Sequence, residues 1–178
     1  MTDARILVFA PHPDDEIIGC GGYLSLKCAE KSTIRVIIIS DGAKGFLPLQ
    51  NFPPEFRQNE SRCGLAEIGI NDVQFWNYPD GAIPLSGNII AAYRQAVSSF
   101  QPDNIFLPNP AEAHPDHRRV TRGFIKALEN QWSGNLWFYE TTQPAPVINT
   151  VHDISVHVAS KSRALAAHQS QLKQFDYI

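Results

Sequence analysis

A chain of 178 residues that is 43 % hydrophobic and 19 % charged carries enough apolar material for one domain, residues 1–178, and too little for two comfortable ones. Fifteen Lys and Arg against eighteen Asp and Glu give a formal net charge of −3, with no basic run to hold nucleic acid and no basic amphipathic helix for an anionic membrane. Three cysteines without Cys-x-x-Cys spacing exclude a full disulfide framework and a thiolate zinc cage, so reduced thiols are expected.

In chain order, the first element is a strand at Arg5–Ala10, read from the branched apolar run Ile6-Leu7-Val8-Phe9-Ala10. That run is too short for a signal peptide or a membrane span, which makes the cytoplasm the expected location and stable membrane insertion unexpected. Pro11 and Pro13 end the strand because neither can donate to a ladder. Between and after them stand His12, Asp14, Asp15 and Glu16. A helical pattern then runs over residues about 17–30. Its Gly19-x-Gly21-Gly22 is not a Gly-x-Gly-x-x-Gly fingerprint, and the preceding carboxylates would repel a pyrophosphate, so no dinucleotide is expected.

A second apolar strand at Thr33–Ser40 leads into the loop 41–53, where Gly42, Gly45, Pro48 and Pro53 accompany the apolar Phe46, Leu47 and Phe52. A mobile lid and a packed satellite cluster are both open readings of this loop. Further helical patterns fall at about 54–69, 86–100, 115–131 and 159–173. Strand patterns fall at 73–77, Asn104–Pro108, 136–140 and, by the alternation of Ile154, Val156 and Val158, at 153–158. Regular β-α alternation implies parallel strands with right-handed crossovers and helices on both faces, a Rossmann-like three-layer α/β sandwich. An order 3-2-1-4-5 would make the first and fourth strands neighbours at the switch point.

Two polar runs then share one edge of the sheet. Asp14, Asp15 and Glu16 repel one another when ionised, and a cation relieves that. A solvated loop with a capping aspartate is the structural alternative. After the fourth strand comes the same grammar, Pro-break and then His114-Pro115-Asp116-His117 opening a helix. His12, Asp15 and a histidine from the second run make a His-Asp-His donor set suited to zinc or another first-row divalent ion.

Pro-His-Pro-Asp-Asp-Glu at 11–16 with His-Pro-Asp-His at 114–117 resembles the LmbE-like, or PIG-L, N-acetylglucosaminyl deacetylases. Arg57-x-x-Glu60 followed by Ile68-Gly69, Tyr78-Pro79-Asp80-Gly81, and Lys161-x-x-Ala164-Leu165-x-x-His168-x-Ser170-Gln171 extend the resemblance, in order, over nearly the whole chain. It implies a metal-dependent hydrolase that releases acetate and a free amino sugar from an N-acetylated sugar. It also implies His12, Asp15 and His117 as ligands of Zn2+, with Fe2+ able to occupy the same donors, and Asp14 as general base. His114 is cast as an imidazolium that stabilises the oxyanion and protonates the leaving amine. Asp116 is cast as the group that fixes a histidine tautomer, or else as a helix-start carboxylate. Arg57 and Asp80 are the substrate-contact candidates, with surface charge as the plain alternative. His168 and Gln171 are expected to pack at an interface, and His152 and His157 to be ordinary surface or strand residues.

Some members of that family carry a tyrosine two residues before the first histidine of the second motif, where this chain has Glu112. Tyrosine help to an oxyanion is then absent or comes from elsewhere, and a carboxylate there would disfavour an anionic substrate group. Family members are often longer, so this chain is minimal, a fragment, or in need of a partner subunit. Two rival functions fit parts of the pattern. A His-His-carboxylate triad also serves non-haem iron oxygenases, and a sugar-binding or partner subunit could keep a vestigial site.

Overall fold

The computed structural model describes residues 4–45, 53–129 and 132–173. Strands β1 (Arg5–Ala10), β2 (Thr33–Ser40), β3 (Val73–Tyr78), β4 (Asn104–Pro108) and β5 (Asn135–Tyr139) form one parallel sheet in the order β3-β2-β1-β4-β5. Helices α1 (Asp15–Ala29), α2 (Pro54–Glu67), α3 (Asn88–Phe100), α4 (Pro115–Leu128), α5 (Val158–Ala166) and α6 (Gln169–Leu172) complete it.

The period of two along β1 divides the core. Ile6, Val8 and Ala10 join Ile17, Leu24, Leu65 and Leu165 on the face covered by α1, α2 and α5. Leu7 and Phe9 join Ile89, Tyr93, Val120 and Phe124 on the face covered by α3 and α4. Both faces being buried is why β1 and β2 read as unbroken apolar runs. Each such buried Val, Leu, Ile or Phe side chain contributes roughly 1.5–3 kcal/mol of transfer free energy, and that rigid centre is what holds the polar turn after β1.

The expected strand at 153–158 is not one. Ser155–His157 is a 3-10 turn and Val158 opens α5. Ser155 N–H donates to Asp153 Oδ1 at 2.9 Å, so an aspartate turn starts helical backbone there and overrides the alternation. Val156 and Val158 are exposed, while Ile154 would meet any side chain added at Gly22. The last helical pattern is likewise two helices, interrupted at Ala167 and His168. Of the loop 41–53, read as a lid or a packed cluster, residues 46–52 lie outside the described residues. In the described part of that loop, Asp41 N–H donates to Tyr78 O at 2.9 Å and Lys44 N–H to Asp80 Oδ2 at 3.1 Å. Among the described residues no helix is long and apolar enough to cross a membrane.

Candidate active site

β1 points its last residues at the C-terminal edge of the sheet, and β4 lies beside it with Val8 opposite Phe106. The two polar runs therefore leave the sheet side by side, at the crevice where open α/β sheets bind ligands.

The first run makes a tight, strained turn. Asp14 has φ 132°, a region that side chains rarely adopt. Its N–H donates to Glu16 Oε2 at 3.0 Å, and His12 N–H donates to Asp15 Oδ2 at 3.0 Å. The buried Glu16 takes the hydroxyl of Ser61 on its other oxygen, and burial pushes its carboxyl up to about 7. Asp14 stands where an N-cap would, but its side chain makes no capping bond. Its Oδ2 lies 3.2 Å from Arg57 Nη2, close enough to pair but too misaligned to hydrogen-bond, and is buried without a donor. Burial, opposed by Arg57 and reinforced by the Asp15 carboxylate, pushes Asp14 up to about 7.

Asp15 sits between two imidazoles, its Oδ2 3.1 Å from His12 Nδ1 and 3.2 Å from His117 Nε2. Burial alone would raise its carboxyl; the His117 and His12 rings instead hold it well below the usual range. The other nitrogen of His12, Nε2, lies 3.3 Å from Asp80 Oδ1 and 3.4 Å from Asp116 Oδ2. Burial depresses His12, and the carboxylates of Asp116, Asp15 and Asp80 override it to push the ring well above its ordinary value.

The second run starts α4. His114 Nδ1 accepts the N–H of Asp116 at 3.2 Å and so caps the helix itself. That acceptor role requires an unprotonated Nδ1, and burial together with the His12 and His117 rings lowers the pKa of His114. An accepting Nδ1 and a lowered pKa argue against the expected imidazolium and leave Nε2 as the ring's donor. Asp116 is placed where either of its expected roles could act. It lies in the first turn of α4, accepts Gly81 N–H at 2.8 Å and faces His12.

Arg57 and Asp80 are buried, not surface charges. The guanidinium of Arg57 donates to Gly42 O at 3.1 Å and Pro13 O at 2.5 Å, so it clamps the strained turn from behind as well as reaching the cleft. His168 and Gln171 are fully buried. His157 bonds Ser25 Oγ at 3.0 Å, and His152 packs 4.6 Å from the Tyr23 ring.

All of the expected residues except Asp116 line one cleft of about 370 Å³, whose wall is completed by Ile18, Gly45, Thr141 and Thr142. Asp116 sits fully buried beneath it. The threonines belong to no motif and were missed; their signal was position alone, directly after β5 on the same sheet edge. Ligand atoms of His12, His114 and His117 lie within 4.8 Å of one another, as do those of His12, Asp80 and Asp116. The donor chemistry fits a divalent ion. Buried His12 Nε2 and Asp116 Oδ1 have no hydrogen-bond partner, an expense that native interiors rarely carry without a ligand.

A doubly wound parallel α/β sheet with a His–Asp cluster at its switch point is the class these features define. The family model described as GlcNAc-PI de-N-acetylase, PIG-L, matches residues 7–128, and the chain belongs to that family. Diacetylchitobiose deacetylase of Thermococcus kodakarensis is 24 % identical over 195 residues, covering 96 % of this chain and 71 % of the relative. The N,N'-diacetylchitobiose deacetylase of Pyrococcus horikoshii, solved with an inhibitor, superposes with TM-score 0.81 at 25 % identity over 94 % of this chain and 70 % of that one. The 4-carboxy-2-hydroxymuconate hydratase GalB of Pseudomonas putida, at 18 % identity and TM-score 0.85 over 98 % of this chain and 82 % of its own, shares the fold.

Proposed function

We propose that residues 1–178 act as a single-domain, metal-dependent deacetylase that removes the acetyl group of an N-acetylglucosamine-type sugar, giving acetate and a free amino sugar. The observation that carries this reading is the convergence of Asp14, Asp15, His12, His114 and His117 in one cleft, in a family whose compared members are named as deacetylases of such sugars. His12, Asp15 and His117 are the residues we assign to hold zinc or ferrous iron. When bound, such an ion polarises an acyl carbonyl and makes water a better nucleophile at neutral pH.

The chain's own groups supply the rest. Asp14 Oδ2, buried and free of donors, takes a proton from the attacking water as its oxygen adds to the acetamide carbon. His114 Nε2–H donates to the oxyanion that develops on the carbonyl. Asp14 then returns its proton to the sugar nitrogen as the C–N bond breaks. A carboxyl raised by burial suits both halves of that shuttle. Arg57 keeps Asp14 aimed, and the Thr141 and Thr142 hydroxyls with Asp80 offer partners to sugar hydroxyls.

The test is acetate release from N-acetylglucosamine and N,N'-diacetylchitobiose by protein given Zn2+ or Fe2+. Release should be abolished by a chelator and restored by metal. Sugar binding without acetate release by the metal-loaded protein would return the vestigial-site reading, and oxygen uptake during turnover would return the oxygenase.

A further inference from the structure

We propose that Glu112 is a positioning residue that acts through the Thr141–Thr142 corner to hold His117 in one tautomer; the proposal rests on reading His117 as a metal ligand. Glu112 is 1 % exposed, and it is turned away from the cleft. Its Oε1 accepts Thr141 N–H at 2.7 Å. Its Oε2 accepts the Thr142 hydroxyl and, at 3.4 Å, the Thr142 N–H. The carboxylate is thereby fixed 3.8 Å from His117 Nδ1, and Thr141 Oγ1 lies 2.9 Å from that same nitrogen. Across the ring, His117 Nε2 faces Asp15 Oδ2 at 3.2 Å.

A histidine that ligates through Nε2 must carry its proton on Nδ1, and an acceptor placed there fixes both tautomer and ring angle. Thr141 Oγ1 is that acceptor. Glu112 holds the corner that presents it, and its negative charge on the same side favours a proton on Nδ1.

The test uses Thr141→Val, Thr141→Ser and Glu112→Gln in the full chain. In chelator-treated wild type, ¹⁵N imidazole NMR should show His117 with its proton on Nδ1. Thr141→Val should lose that single-tautomer signature and bind Zn2+ about 10–100-fold more weakly, the range for outer-shell partners of a metal ligand. Thr141→Ser should restore both, and Glu112→Gln should weaken binding in the same direction. If Thr141→Val and Glu112→Gln lower thermal stability but keep wild-type zinc affinity and tautomer, the corner is only structural and the proposal is overturned. If His117→Ala binds zinc as tightly as wild type, the ligand reading itself fails and takes this proposal with it. If His117→Ala loses zinc while Thr141→Val keeps it, only the positioning role fails.

Discussion

Asp14 holds a conformation with φ 132°, and a non-glycine residue there costs of order 1–3 kcal/mol unless its surroundings over-determine it. Three contacts do so: the Glu16 carboxylate on its N–H, the Arg57 fork on the Pro13 carbonyl, and the Arg57 charge beside its side chain. This arrangement gives Arg57 a testable division of roles. Lysine keeps the charge but cannot donate to Pro13 O and Gly42 O in one plane. Arg57→Lys should therefore lower kcat at least tenfold with KM for the sugar little changed; a raised KM at constant kcat would make Arg57 a substrate contact instead. At this scale the sequence was most informative where chemistry sits in short runs. The runs holding His12, Asp15 and His117 stood out by residue type and proline breaks, and the structure brings those side chains together at one sheet edge. Glu112 and Thr141 did not, because their contact joins residues 29 positions apart through a corner with no motif. The capping bond that the His114 ring accepts was also illegible, since it depends on how the backbone turns into α4.

Among the elements, α1 explains a pattern that looked like a nucleotide fingerprint. Any Cβ on Gly19 would come 2.2 Å from Tyr139 Cδ2 and 2.9 Å from Glu140 O. Tyr139 cannot swing aside freely, because its hydroxyl donates to Phe9 O at 2.8 Å. Gly19 is thus the close approach of helix to sheet that lets α1 seat the Asp14–Glu16 turn. Gly19→Ala should destabilise the protein by about 1–3 kcal/mol through overpacking, read as a lowered urea midpoint; an unchanged midpoint would show that Tyr139 yields at no cost. Most element types were legible because each face of the sheet repeats its apolar residues. The failures came where that signal was thin. Three alternating residues at 154–158 carried no more than a local pattern, and Asp153 decided the backbone instead.

Over the whole molecule, the order β3-β2-β1-β4-β5 makes the two motifs one site, and the sequence implied that order only through the need to bring them together. The fold by itself does not choose a reaction, since the hydratase GalB shares it; the side chains at the switch point carry that choice. The fold also buries titratable groups that tie its stability to pH. His168 is fully buried with both ring nitrogens unpartnered, and burial, with the Arg57 charge nearby, pushes its pKa down to about 3. The unfolded chain takes up that proton near pH 6.5. The contribution of His168 is therefore intact above about 6.5 and is lost as pH falls towards 3, at up to about 1.4 kcal/mol per pH unit. Between pH 6.5 and 5 the stability of His168→Leu should fall less steeply than that of wild type; equal slopes would mean that His168 is protonated in the folded protein.

The central claim is that Asp14 moves the proton while other residues hold the metal. It is met most directly by measuring acetate release and metal content together in Asp14→Asn, an isosteric change that keeps the turn and removes the base. The account predicts about one divalent ion per chain, as in wild type, with a rate roughly 10²–10⁴ lower. A metal-replete Asp14→Asn protein that deacetylates at close to the wild-type rate would contradict it and leave Asp14 as a strained turn residue without a chemical role.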